Sequence, residues 1–81
     1  MKVYIGVYGD GYEGEHSGYI VGAYSTSEKA IEVFTERANW EKAGMDDSWE
    51  WSEREWVFCA AEKGRSSRNW IRICIVEREV E

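Results

Sequence analysis

Residues 19–38, YIVGAYSTSEKAIEVFTERA, carry an alternating strand pattern directly into a helix start. Ile20, Gly22 and Tyr24 alternate with Tyr19, Val21 and Ala23 at the period of two that marks a half-buried strand. Ser25, Thr26 or Ser27 can each accept a hydrogen bond from the orphan amides of a first helical turn, and Glu28 stands three residues after Ser25 as in a capping box. Ala30, Ile31, Phe34 and Ala38 then share one helical face. A sheet packed on one helix follows from this unit, which holds no group that does chemistry.

Residues 2–8 read as a first strand, with Val3, Ile5 and Val7 on one face and Tyr4, Gly6 and Tyr8 on the other. Residues 9–18, GDGYEGEHSG, are expected to turn the chain, their glycines supplying positive φ angles, so that the first two strands form a hairpin. The helix is expected from about Ser27 to Ala43, closed by Gly44 in the left-handed C-cap conformation. In residues 45–55, Asp47 with Glu50 as a cap and Glu50 with Arg54 as an i,i+4 pair favour a loop with a helical turn. Trp49 and Trp51 alternating with polar residues favour an early strand instead, and the loop with a helical turn is the expectation.

Residues 56–61 and 70–80 complete the strands, joined through KGRSSRN at 63–69. A symmetric turn between Ser66 and Ser67 sets Cys59 opposite Cys74, Val57 opposite Val76, and Glu55 opposite Arg78 as a cross-strand charge pair. Phe58, Ala60, Ile71, Ile73 and Ile75 then lie under the helix. Val57, Cys59, Trp70, Cys74 and Val76 form an apolar strip on the other side. The expected fold is α+β: a single domain over 1–81, with a four-stranded antiparallel-rich sheet in the chain order ββαββ and one helix on one face.

Five Trp, five Tyr and two Phe exceed what one helix on one sheet covers, so some rings should reach the surface, where aromatics favour partner contact. The net charge of −6 argues against nucleic acid and anionic membranes. Residues 41–55 hold six acids against two bases, and residues 62–72 reverse this with Lys63, Arg65, Arg68 and Arg72 against Glu62. The chain opens MKVYIGVYGDG and contains no apolar run long enough for a membrane span, so a cytoplasmic protein is expected.

Gly9, Gly11 and Gly14 match G-x-G-x-x-G after a strand, but a second strand follows where a nucleotide fingerprint needs a helix, so a hairpin turn is the reading. Asp10, Glu13, Glu15 and His16 fit no calcium-loop spacing, and no metal or other cofactor is expected. Cys59 and Cys74 read as small buried hydrophobes with free thiols. No nucleophile, base and orienting group can be assembled, so an enzyme is not expected.

The leading expectation is therefore a non-catalytic interaction module. Trp49, Trp51 and Trp56 would anchor a protein partner, and Asp46, Asp47, Glu50 and Glu53 would steer its basic surface. A homodimer would bury Val57, Cys59, Trp70, Cys74 and Val76. The alternative is a small-molecule or nucleotide-binding domain in which Tyr4, Tyr8, Tyr12 and Trp70 stack on the ligand and Arg68 or Arg72 holds its anion.

Val3-Tyr4, the Gly-rich acidic hairpin and residues 22–30, GAYSTSEKA, together resemble a family of small uncharacterised bacterial and phage domains. Those domains pair a first strand with a strand ending in G-(V/A)-(Y/F)-S-T-x-E-K-A, then a helix and a closing strand with an acidic tail. The match covers residues 2–38 and, loosely, 71–81, ending EREVE; the Trp-rich 49–56 segment departs from it. The resemblance implies the fold and no established activity; the interaction module expected above would be an accessory or inhibitory protein of a phage or mobile element.

Overall fold

The structure is a computed structural model, and it describes residues 1–12, 15–63 and 69–80, the side chains of residues 12 and 15 excepted. Among the described residues five strands and one helix occur in the order β1 (Lys2–Tyr12), β2 (Glu15–Tyr24), α1 (Ser27–Ala43), β3 (Trp49–Arg54), β4 (Val57–Glu62) and β5 (Trp70–Glu79). All neighbours in the sheet are antiparallel, and the strand order is β2-β1-β5-β4-β3. The α+β class, the antiparallel sheet and the single helix match expectation. The strand count does not: the sheet has five strands rather than four.

The additional strand is β3, drawn from the segment expected to hold a helical turn. Asp46 explains the difference. Its Oδ1 accepts the backbone N–H of Ser48 at 2.9 Å, and its carbonyl accepts the N–H of Trp49 at 3.2 Å. This side-chain-closed turn reverses the chain, and the bonds from Ser48, side chain first, hold the Asp46 carboxyl below its ordinary pKa. Trp49 and Trp51 then point alternately with polar residues, as a strand requires, and Glu50 and Arg54 no longer meet at helical spacing.

Thr26, of the three cap candidates, closes the helix start by accepting from the N–H of Lys29 at 3.3 Å. The helix spans the expected residues, but Gly44 is right-handed (φ −91°, ψ −1°) rather than left-handed. Its N–H donates to the carbonyl of Glu41 and that of Met45 to Lys42, both at 3.1 Å, so a tightened last turn satisfies these carbonyls without a left-handed residue. Lys42 also reaches Glu53 at 3.3 Å, tying the helix end to β3.

β1 and β2 are longer than expected. Gly9, Gly11 and Gly18, read as turn residues, lie in paired strand, with Gly9 opposite Gly18 and Gly11 opposite His16. Gly9 and Gly11 serve a close approach: a Cβ on Gly11 would lie 2.6 Å from Cε2 of Trp70, and one on Gly9 would touch the same ring at 3.7 Å. The indole of Trp70 therefore lies across this part of β1, where side chains would lift it off.

The β4–β5 register differs from expectation by two residues. Cys59 faces Arg72 instead of Cys74, Val57 faces Cys74 instead of Val76, and Phe58 faces Ile73. Glu62 N–H to the carbonyl of Asn69 and Ile75 N–H to that of Trp56, both at 3.0 Å, continue this register at either end. The expected Glu55–Arg78 pair is lost because Glu55 sits in the β3–β4 turn. A two-residue slip keeps every side chain on its own face, so the hydrophobic pattern alone does not distinguish the two registers. The expected faces survive for that reason.

The core lies between helix and sheet, built from Tyr8, Ala38, Phe58, Ala60 and Ile73, with Ala30 and Ile75 also buried. The small side chains of Ala30 and Ala38 let the helix settle close to the strands. Ile31, assigned to the same helical face, remains 40% exposed at its margin. Among the described residues no helix is long and apolar enough to cross a membrane.

Candidate functional site

One face of the sheet is covered by the helix, and the other carries no second layer among the described residues. Antiparallel pairing puts facing residues on the same side, so the register sorts every strand residue. On the open side, Ile20, Val7, Cys74 and Val57 form one continuous cross-strand row over β2, β1, β5 and β4. Ile20 is 66% exposed. Ala23, Ile5 and Val76 form a parallel row beside it.

Toward the other end of the same face the composition changes. One row runs Ser52, Cys59, Arg72, Gly9, and the next Glu50, Ala61, Trp70, Gly11, His16. The residues contributed by β4, Cys59 and Ala61, are small, while β5 contributes the long side chains of Trp70 and Arg72 and β3 that of Glu50. A cleft of about 530 Å³ results, with Cys59 and Ala61 as its floor, Trp70 and Arg72 as one wall, and Glu50 and Ser52 as the other. The Trp70 ring lies over the β1 glycines and beside His16, their ring centres 5.7 Å apart.

Charge is divided between the two faces. The register sets Arg54, Arg72 and Arg78 on the open side, where Glu50 is the single acid among the described strand residues. Asp10, Glu53, Glu77 and Glu79 fall on the helix side, which also carries the acids of α1. The net charge of −6 therefore conceals a locally basic surface.

Placement of the expected anchors divides them. Trp49 is half-buried against the core, and Trp56 packs edge-on to Tyr4 with ring centres 5.9 Å apart. Only Trp51 of the three stands out, at 51% exposure. Asp46 and Asp47 lie in the turn before β3, Glu50 is on the open side, and Glu53 is paired with Lys42 on the helix side. These seven residues do not share one surface. Trp56 also carries φ of 65°, a left-handed conformation unusual for a bulky residue, and its indole N–H is buried with no acceptor among the described residues.

The residues assigned to a homodimer, Val57, Cys59, Trp70, Cys74 and Val76, do fall together on the open side. The alternative ligand set is split: Tyr4 and Tyr8 belong to the helix side, whereas Trp70 and Arg72 line the cleft. Arg68 and the side chain of Tyr12 lie outside the described residues. Asp10 and His16, weighed as metal ligands, occupy opposite faces of the sheet. Gly9, Gly11, His16, Arg54 and Ile20 also belong to the open surface, beyond the residues expected there. The signal for the first two was present, since Val3, Ile5 and Val7 continue at period two into Gly9 and Gly11.

On the helix side, Arg37 is held by aromatic rings, its guanidinium carbon 4.7 Å from the Tyr8 ring centre and 5.2 Å from that of Trp40. It donates to Tyr19 Oη at 2.8 Å and pairs with Glu41 at 3.3 Å, so this cluster clamps α1 onto β1 and β2. The Tyr8 hydroxyl donates to Asp10 at 3.2 Å. Burial first, then the negative charges of Glu41 and Asp10, push its pKa up to about 12 from 10.0. Folding thus favours the neutral phenol, a contribution complete below pH 10 and lost as pH rises through 12. A shift of this size corresponds to about 2 to 3 kcal/mol. Chemical denaturation between pH 9.5 and 12 should show wild type losing that increment and Tyr8→Phe lacking it; equal losses would contradict the assignment.

No protein-family model matches the chain, and comparisons with curated proteins and with solved structures find no match either, so the reading of the open face rests on its own geometry.

Proposed function

We propose that the protein is a non-catalytic binding module that engages an acidic protein segment through the open face of its sheet. The supporting observation is the row Ile20, Val7, Cys74 and Val57, an aliphatic strip on a side that the helix leaves uncovered. Strips of this kind favour a partner. Arg54, Arg72 and Arg78 on the same side favour an acidic one. A second copy is the less favoured occupant, because face-to-face pairing would bring two sets of these arginines together. The three tryptophans and the acids of residues 46–53, dispersed as they are, give a basic partner no single surface to meet.

Peptide display on the immobilised protein tests this reading. Selected peptides should be acidic with aliphatic residues at alternate positions, and Val57→Glu with Ile20→Glu should abolish their binding while the circular dichroism spectrum stays unchanged. Selected peptides that are basic, or that bind the double variant equally well, would contradict it.

A further inference from the structure

We propose that the cleft formed by β3, β4 and β5 is a nucleotide site, in which Trp70 stacks on the base and Arg72 holds the phosphate. The site is separate from the aliphatic row and needs nothing from it. Three independent features of the chain converge here.

The first is the platform. A tryptophan that lies flat on a sheet offers a rigid stacking surface, and this one is seated: Gly9 and Gly11 leave the space for it, and His16 stands beside it. Because the ring is already immobilised, little freedom remains to be lost when a ligand stacks on it. The second is the cation. Arg72 follows Trp70 by two residues on the same face, so the two lie about 7 Å apart along the strand. The span from a nucleobase to its own phosphate is of that order. Arg72 is exposed, and its planar guanidinium suits bidentate contact with phosphate oxygens.

The third is the space. Cys59 and Ala61 keep the floor low between Trp70 and Arg72 on one side and Glu50 on the other, and the resulting volume of about 530 Å³ lies within the usual range for small-ligand sites. Glu50 and Ser52 close the far wall with polar groups. The net charge of the chain does not oppose an anion here, because the open side carries the arginines while most acids of the strands face the helix.

The same base-plus-phosphate chemistry is presented by a free mononucleotide and by a single-stranded oligonucleotide. Titration of the full chain with each of the four ribonucleoside monophosphates, and with ten-residue oligo-dT and oligo-U, separates the two sources. It is followed by amide and indole NMR shifts at 50 and 200 mM salt. Perturbations centred on the Trp70 indole and on the Cys59, Ala61 and Arg72 amides are expected. If an oligonucleotide binds tighter with a steep salt dependence, the source is a single strand. If a mononucleotide binds as well as the oligonucleotides, the source is the free ligand.

Trp70→Ala should weaken binding roughly tenfold or more by removing the stack. Because this variant also vacates the glycine seat, two others keep the test sharp. Arg72→Gln removes only the anion contact at an exposed position, and Ala61→Leu fills the floor without deleting any ligand-binding group; both should weaken binding while thermal stability holds. Absence of any shift at millimolar nucleotide and at saturating oligonucleotide would overturn the proposal. So would perturbations confined to the helix side, or a phosphotyrosine peptide binding the cleft in preference to every nucleotide.

Discussion

Phe58→Ala should remove a large part of the domain's stability. Among the described residues Phe58 is the one large side chain of the core with no exposure, facing Ile73 on β5 and lying beneath the helix with Ala38 and Tyr8. Truncating a fully buried phenylalanine costs about 3 to 5 kcal/mol, through lost transfer energy and the cavity left behind. Domains of this length have a total stability of about 4 to 12 kcal/mol, so the loss is a large fraction of the whole. Urea denaturation monitored by tryptophan fluorescence would measure it. Phe58→Leu should cost much less, because most of the volume stays, and Ile31→Ala, at the 40% exposed margin of the helix, should cost less again. A loss below about 1.5 kcal/mol for Phe58→Ala would mean that the core is not organised around this ring.

Gly11→Ala and Gly9→Ala should have opposite consequences. Neither glycine has a left-handed φ, so the difference between them is steric. A Cβ at Gly11 would stand 2.6 Å from Cε2 and 2.7 Å from Cδ1 of Trp70, inside any permitted contact, and the indole must leave its seat. At Gly9 the nearest ring atom is 3.7 Å away, an ordinary contact. Overpacking of the first kind costs about 1 to 3 kcal/mol. Replacing a strand glycine without a clash instead gains about 0.5 to 1 kcal/mol, because the unfolded chain loses freedom. Thermal denaturation of the two variants gives the stability difference, and the emission of Trp70 in Gly11→Ala should shift as its ring becomes more exposed. Equal stability for both variants would show that Trp70 does not rest on β1 as described.

How much of this was legible in the sequence depends on what kind of information each feature needs. The helix and the two faces of the sheet were readable because periodicity alone determines them, as with Ile71, Ile73 and Ile75 alternating with Trp70, Arg72 and Cys74. The β4–β5 register was not readable, because a shift by two leaves that periodicity untouched. It depends on a connection whose symmetry composition does not reveal. β3 was obscured by two acids and a serine that suit a helix cap and a side-chain-closed turn equally well; only the bonds of Asp46 to Ser48 and Trp49 decide between them. Gly9 and Gly11 were assigned to a turn because glycine usually signals one, whereas here the absent side chain makes room for a ring some 60 residues away in sequence.

The candidate surface was harder to read than the fold. Tryptophan-rich residues 49–56 looked like an exposed patch, but alternation sends Trp49 into the core and the turn folds Trp56 onto Tyr4. The basic character of the open side was hidden by a net charge of opposite sign. It emerged only when register had sorted arginines from carboxylates.

The two cysteines of the chain test whether one sheet face is uncovered and able to receive a partner. Both lie on that face, Cys59 in the floor of the cleft and Cys74 in the aliphatic row, and both are free and partly accessible. Native alkylation with N-ethylmaleimide, resolved by mass spectrometry at several protein concentrations, reports directly on them. Both thiols should react faster than the chain unfolds, at a rate independent of concentration, and a mononucleotide should slow Cys59 while an acidic display-selected peptide should slow Cys74. Labelling of both thiols only at the rate of global unfolding would contradict an uncovered face.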